Sequence, residues 1–175
     1  MATAGSDSIV QFYSGGRDAA GRTLDEVLAR DDEWLESVHD YIQWLFPTRQ
    51  PSGVNPLAPL VTDATVAAFR RDAALRERLR RALNRMLTFY GLRWNVDRVE
   101  IDRDRFPSRA SVWLHPGNHN HLRLTRIMES VAALGLPTEA RALQRCLIDV
   151  IADGAGRGRV STRTAEFWRR AIDPA

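Results

Sequence analysis

Three of the four histidines lie within seven residues, in the segment "HPGNHNHLRLTR" that precedes a predicted helix. The spacing of His115, His119 and His121 is compatible with zinc ligation by imidazole nitrogens. No cysteine or acidic residue lies beside them to complete a ligand set, and the segment is predicted to be a loop. A metal site is therefore the less favoured interpretation of these histidines, and we expect no cofactor.

The same segment is better suited to an anion. Backbone amides are left free at a helix N-terminus, which Asn118 or Asn120 would cap, and the helix dipole favours negative charge there. His119, Arg123 and Arg126 could complete a site for a phosphate or a carboxylate. The structural interpretation is favoured over this site: His119 and Asn120 would satisfy buried loop backbone, and the two arginines would pair with acidic residues of a neighbouring helix.

A second candidate surface lies in "WLESVHDYIQWLFP", where apolar residues recur at helical spacing until Pro47. The pattern predicts one amphipathic helix over residues 32–46, whose aromatic face is mostly core. His39 and Gln43 lie one turn apart on that helix, and with Trp44 they could border a groove beside the following proline-rich loop. A peptide or a small ligand could lie in such a groove.

Arginines dominate a third segment, "RRDAALRERLRRALNR" (residues 70–85), which has seven arginines and two acidic residues, a balance of +5. The segment lies on the longest predicted helix, opposite its apolar stripe. Arg76, Arg80 and Arg81 could follow nucleic-acid phosphates, and binding would then fall steeply with salt. No familiar nucleic-acid motif accompanies the run, and the alternative is a solvated helix face.

The chain carries no recognisable catalytic motif. Neither a Gly-x-Ser-x-Gly elbow nor a P-loop occurs, and the glycines of "GAGRGRVS" do not follow a strand of a βαβ unit. Cys146, the one cysteine, has apolar neighbours on a predicted helix, which is typical of a packed thiol and not of a nucleophile. We therefore expect no catalytic residues, and an unrecognised metal-dependent enzyme is the third hypothesis.

The elements that must position these residues are mostly helices. The patterns predict an all-α chain, a single domain over residues 1–175 with about six helices and a short hairpin near residues 93–101. Residues 47–59 and 102–118 are predicted to be loops, because they are rich in proline or charge. The predicted boundary signals are a capping box at Thr23 and Glu26, a cap at Thr62, stops at Gly91, Gly135 and Gly154, and a start at Pro137.

Composition limits the class of protein further. All 25 basic residues are arginine, but with 22 acidic residues the formal net charge is only +3, too small to argue for nucleic-acid binding by itself. A single cysteine excludes an intramolecular disulfide. "MATAGSDSIV" lacks a basic leader, and no stretch has the roughly 18 uninterrupted apolar residues of a membrane span. We expect a soluble, cytoplasmic protein of unassigned oligomeric state.

Four motifs resemble the conserved region of the opioid growth factor receptor family: "FY" at Phe12, "WLESVHDYIQWLFP", "FYG" at Phe89, and "HNHLRLTRI". They occur in the family's order and cover nearly the whole chain. The resemblance implies a receptor-like module; animal members are receptors for the opioid peptide methionine enkephalin and carry long tails. This chain ends at "WRRAIDPA" and its arginine bias is similar to that of bacterial members, so we expect a bacterial-type member without the tail.

These observations together predict a non-catalytic helical binding module. Its partner would be a peptide, a protein or a small anion, bound near His39, Gln43 and Trp44 or at the helix start over residues 119–126. Nucleic-acid binding through the arginine segment is the alternative. The sequence leaves open which ligand is physiological and whether opioid peptides bind this chain.

Overall fold

The computed structural model describes residues 7–173, which form two compact units that divide between Ala82 and Leu83. The division falls inside the longest helix, so each unit contains one part of that helix. The chain is predominantly helical, as predicted, with ten helices and one two-stranded hairpin among the described residues. Within residues 7–173, no helix has both the length and the apolarity needed to cross a bilayer. The single domain over residues 1–175 stays a prediction.

The first unit is built from short helices around an aromatic core. Its elements are α1 (Ser8–Tyr13), α2 (Leu24–Leu28), α3 (Asp32–Ser37), α4 (Ile42–Leu45), α5 (Asp63–Arg71) and the first part of α6 (Ala73–Tyr90). Tyr13 of α1 is fully buried and meets Phe69 of α5 edge to face, with ring centroids 5.1 Å apart. Burial of such rings supplies the largest stabilising contribution to a small core.

The second unit holds the rest of α6, the hairpin and four further helices. Its elements are β1 (Leu92–Asn95), β2 (Arg98–Ile101), α7 (Phe106–Trp113), α8 (Asn120–Ala133), α9 (Pro137–Ala152) and α10 (Thr162–Arg170). The strands are antiparallel with Asn95 opposite Arg98. β2 packs on α9, which also contacts α8 and α10. The hairpin predicted near residues 93–101 is confirmed.

Helix boundaries follow the predicted signals. Thr23 Oγ1 accepts from the Glu26 amide at 3.2 Å while the Glu26 carboxylate accepts from the Thr23 amide at 2.7 Å, which is the predicted capping box. Thr62 caps α5 as predicted. After α6, Gly91 has φ +74°, a left-handed conformation that ends the helix at low steric cost.

The single helix predicted over residues 32–46 is wrong. α3 ends at Ser37, Val38 is extended (φ −94°, ψ 135°), and α4 starts only beyond Tyr41. The Tyr41 hydroxyl donates to the Leu35 carbonyl at 2.9 Å, so a side-chain hydrogen bond replaces part of the ladder that a continuous helix would make. The apolar residues keep helical spacing across the break, which is why the pattern alone predicts one helix.

The loop predicted over residues 102–118 is also wrong, because it contains helix α7. The Asp102 carboxylate accepts from the Asp104 and Arg105 amides at 3.1 and 3.3 Å. Pro107 lies in the first turn of α7, where its missing N–H costs no hydrogen bond. Four features explain why ten helices form among the described residues where about six are predicted: α1, α7, the break between α3 and α4, and the extended Asp72 that separates α5 from α6.

Candidate functional site

Asn118 fixes the loop that precedes α8. Its carboxamide nitrogen donates to the Val112 carbonyl at 3.0 Å and lies 2.7 Å from His115 Nε2. Its carboxamide oxygen accepts from the Asn120 amide at 2.8 Å. The side chain is buried, so water competes little for these bonds. Of the two predicted caps, Asn118 is therefore the residue that satisfies an amide in the first turn of α8.

Beneath this loop, Asn120 and Arg123 form a buried polar pair. Asn120 is fully buried, and its carboxamide oxygen accepts from the Tyr90 hydroxyl and from Arg123 Nη1, both at 3.3 Å. Arg123 is only 5% exposed, so its guanidinium lies in the interior and not where an anion would arrive. Arg126 is partly buried; burial lowers the pKa of its guanidinium, and the Glu129 carboxylate opposes that shift.

His121 occupies the interior of the second unit. Its Nε2 lies 3.0 Å from the Trp113 carbonyl oxygen, and its ring stands edge-on to Trp113 and Trp168 at centroid distances of 6.5 and 5.7 Å. The Trp168 indole in turn donates to the His121 carbonyl at 3.2 Å. Burial lowers the pKa of His121, so the imidazole is neutral at pH 7.

The three histidines do not converge on one point that could hold an ion. His121 is buried, whereas His115 and His119 are exposed. Across the described residues, no three His, Cys, Asp or Glu side chains are grouped so that they could hold a metal ion. The zinc interpretation of the histidine spacing thus lacks a geometric basis, because one ring nitrogen of His121 already bonds to core backbone.

An exposed surface covers this interior network. His119 and Leu122 are three residues apart at the start of α8 and so lie on one side of the helix. Leu122 is 68% exposed, and His115 is exposed in the loop that Asn118 fixes. We call His115, His119 and Leu122 the histidine-loop surface. A single exposed leucine is common, but this one lies on the same side of α8 as His119, next to backbone that Asn118 holds in place.

The three residues predicted to border a groove do not share an exposed surface. His39 is exposed, whereas Gln43 and Trp44 are 3% and 9% exposed. The Gln43 carboxamide, oriented to donate, lies 3.0 Å from the carbonyl oxygens of both His39 and Asp40 and so bridges the break between α3 and α4. Trp44 packs on Phe12 with ring centroids 5.5 Å apart. Gln43 and Trp44 therefore contribute to the core of the first unit.

The arginines of α6 that could follow phosphates are engaged within the first unit. Arg76 donates to two carbonyls in the last turn of α5, each at 2.6 Å, and so satisfies groups that a helix end leaves open. Arg80 lies 3.4 Å from the Glu77 carboxylate, and Arg81 lies 2.7 Å from the Asp25 carboxylate. The last two pairs are exposed and contribute little to stability, but they reduce the positive charge offered to a nucleic acid.

Cys146 is buried on α9. Burial, with smaller contributions from Asp149 and Glu100, raises the pKa of the thiol to about 12. The thiol is therefore protonated at neutral pH and has the character of a packed side chain, whereas a cysteine nucleophile needs the thiolate.

Sequence reasoning missed the aromatic residues that position the start of α8. Tyr90, Trp113 and Trp168 come from α6, α7 and α10, and each makes a hydrogen bond to backbone or to Asn120 in this region. The Trp113 indole, for example, donates to the Tyr90 carbonyl at 3.0 Å. A buried Tyr or Trp nearly always bonds its polar tip, and this preference is the signal that could have suggested these residues.

The fold and the site define a predominantly helical protein with an exposed surface supported by a buried polar network. Residues 10–171 match the family described as the opioid growth factor receptor (OGFr) conserved region. The chain belongs to this family, and the resemblance predicted from the four motifs is confirmed. Membership supports a receptor-like module at the level of the family.

Curated relatives carry the same name. The chain is 40% identical over 121 residues to the opioid growth factor receptor of Mus musculus. The aligned segment covers 66% of this chain and 18% of that protein. The Homo sapiens receptor is 43% identical over 108 residues, which are 58% of this chain and 15% of that protein. Opioid growth factor receptor-like protein 1 of Mus musculus is 36% identical over 124 residues, which are 66% of this chain and 25% of that protein. The chain thus spans a quarter or less of these relatives. No solved structure matches it.

Proposed function

We propose that the chain is a non-catalytic binding module that holds a peptide or a protein segment at the histidine-loop surface. One observation carries the proposal: Leu122 is exposed beside backbone that Asn118 fixes with its hydrogen bonds. A surface held in place before binding loses less conformational entropy when the partner arrives. Relatives that are named as receptors support a binding role.

The chemistry of this surface suits a peptide. Leu122 offers apolar area that a partner would remove from water, and burial of one such side chain contributes about 1.5–3 kcal/mol. The imidazole of His115 is exposed, and its Nδ1 can donate to or accept from a peptide backbone while Nε2 lies 2.7 Å from Asn118. An apolar centre with polar groups around it is the usual composition of a protein interface.

A small anion is the less favoured ligand of this region. The dipole of α8 favours negative charge at its start, but the Asn120 amide already donates to Asn118 and Arg123 donates to Asn120 in the interior. An arriving anion would therefore meet fewer donors than the sequence predicts. The surface around His39 is also less favoured, because Gln43 and Trp44 are buried.

Nucleic-acid binding through α6 is the alternative function. Its support is the balance of +5 over residues 70–85. Ion pairs of Arg80 and Arg81 and the backbone bonds of Arg76 count against it. A labelled single strand and a labelled duplex, titrated at two salt concentrations, would reveal such binding by its steep loss at the higher salt.

Selection of displayed peptides on the purified protein, followed by fluorescence anisotropy of the selected peptides, tests the proposal. Leu122→Asp should weaken binding by about tenfold or more, because a leucine burial of roughly 1.5–3 kcal/mol is lost. Leu57→Asp is the matched control, since Leu57 is 87% exposed on the proline-rich loop of the first unit. Methionine enkephalin, which the resemblance implies as the ligand of animal members, belongs in the same assay.

Two results would count against the histidine-loop surface. Binding that survives Leu122→Asp would place the partner elsewhere, and an equal loss with Leu57→Asp would show that any exposed leucine has the same effect. Both side chains are exposed, so both variants should keep the wild-type circular dichroism spectrum. Displacement of the peptide by inorganic phosphate would favour the anion as the ligand.

A further inference from the structure

A cavity of about 340 Å³ opens between the tip of the hairpin and α9, within the second unit. The hairpin contributes Asp97, Arg98 and Val99 to its wall, and α9 contributes Arg145, Cys146 and Asp149. None of these residues belongs to the histidine-loop surface. The volume lies at the lower end of the range of roughly 300–1,000 Å³ that is usual for small-molecule pockets.

The charges around the cavity are balanced and unpaired. Two arginines and two aspartates line it, and within residues 7–173 none of these four side chains makes an ion pair or a hydrogen bond. Arg145 and Asp149 do not pair even though they stand one helical turn apart, a spacing that permits an ion pair. On the same hairpin, by contrast, Glu100 accepts from both Arg93 and Asn95 at 2.8 Å.

The backbone at the hairpin tip is strained. Asn95 pairs with Arg98, so Val96 and Asp97 form a two-residue turn, and Val96 has φ +57°. Glycine or asparagine is usual at such a position, whereas a β-branched residue there costs on the order of 1–2 kcal/mol by steric conflict. Val96 is also 95% exposed, so it gains no burial within the chain. A residue that breaks a local rule without gain in stability indicates a functional constraint.

We infer that this cavity binds a small zwitterion that carries an apolar group, of which a free aliphatic amino acid is the simplest. A carboxylate matches the fork of a guanidinium, and an ammonium group matches the aspartate carboxylates. Val99 and Ala142 in the wall offer apolar contact to an aliphatic side chain. One ligand with both charges would bind the arginines and aspartates, which are exposed and have no ion-pair partner within residues 7–173.

L-leucine is a suitable probe, with isothermal titration for affinity and amide chemical shifts for location. Saturable binding should shift amides of residues 96–99 and 142–149. N-acetylleucine and leucinamide each lack one charge, and both should bind to the wild-type protein at least about tenfold more weakly than leucine. Leucine should bind to the Arg145→Ala variant with a similar loss of affinity. Arg141→Ala is the matched control: Arg141 is exposed on α9, one turn before Arg145, and does not line the cavity.

Several outcomes would overturn the inference. Equal affinities for leucine and N-acetylleucine would show that the protein does not recognise the ammonium group. An equal loss of leucine affinity in Arg141→Ala and Arg145→Ala would indicate a general charge effect. An absence of chemical-shift changes at leucine concentrations close to its solubility limit would exclude the ligand class. If Arg145→Ala fails to fold, Asp149→Asn answers the same question, because it removes the acidic partner of the ammonium group.

Discussion

Replacement of Asn118 by alanine should destabilise the protein more than its place in a surface loop suggests. The change removes the hydrogen bond to the Val112 carbonyl and the cap on the Asn120 amide, and it leaves that amide without its partner. Each lost bond costs about 1 kcal/mol, and a lost cap costs about 0.5–2 kcal/mol. Some water can enter beside the exposed His119, so we expect a total of about 2–3 kcal/mol.

Urea denaturation followed by tryptophan fluorescence and by circular dichroism measures this loss in the free energy of unfolding. In a thermal scan it corresponds to a decrease in Tm of about 5–10 °C for a chain of this size. Asn95→Ala is the control, because Asn95 is exposed and makes one side-chain bond, to Glu100; its cost should stay within about 0.5 kcal/mol. A loss of less than about 0.5 kcal/mol for Asn118→Ala, equal to the control, would refute the argument that this residue fixes the loop.

Three further predictions concern buried or strained residues. Arg123→Ala should lower the free energy of unfolding by about 2 kcal/mol in urea, because it removes a buried charged donor to Asn120; a change near zero would place Arg123 at the surface. Since burial lowers the pKa of folded His121, the unfolded chain binds more protons, so stability should fall as the pH drops below about 6.5 and level off below the folded pKa. Unfolding measured at several pH values checks this, and His121→Gln, which cannot titrate, should make that dependence shallower. Val96→Asn should raise the free energy of unfolding by about 1 kcal/mol, because strain is relieved, and should therefore raise Tm; a lower Tm would show that Val96 is not strained.

The fold could be predicted wherever a local signal dictates the backbone. The capping box at Thr23, the cap at Thr62 and the stop at Gly91 depend on neighbouring residues only, and all three are present. The break after Ser37 could not be predicted, because the bonds that compensate for it come from the fold: the Tyr41 hydroxyl and the Gln43 carboxamide reach carbonyls across the gap. Tertiary contacts of this kind override apolar periodicity.

The candidate site was predictable in position but not in orientation. The sequence indicates a polar helix start near His119, and the structure has one there. It does not indicate that Arg123 lies inside while Leu122 lies outside, because Asn120, which accepts from Arg123, also accepts from Tyr90, 30 residues earlier in the chain. Composition likewise predicts a basic face on α6 without revealing which arginines bond within the protein.

Chemical-shift mapping with a selected peptide would locate a partner on the histidine-loop surface. We expect peptide-dependent shifts for amides of residues 115–125, little change over residues 70–85, and loss of those shifts in the Leu122→Asp variant. Shifts centred on the arginine segment of α6, or shifts that persist unchanged in Leu122→Asp, would contradict binding at this surface.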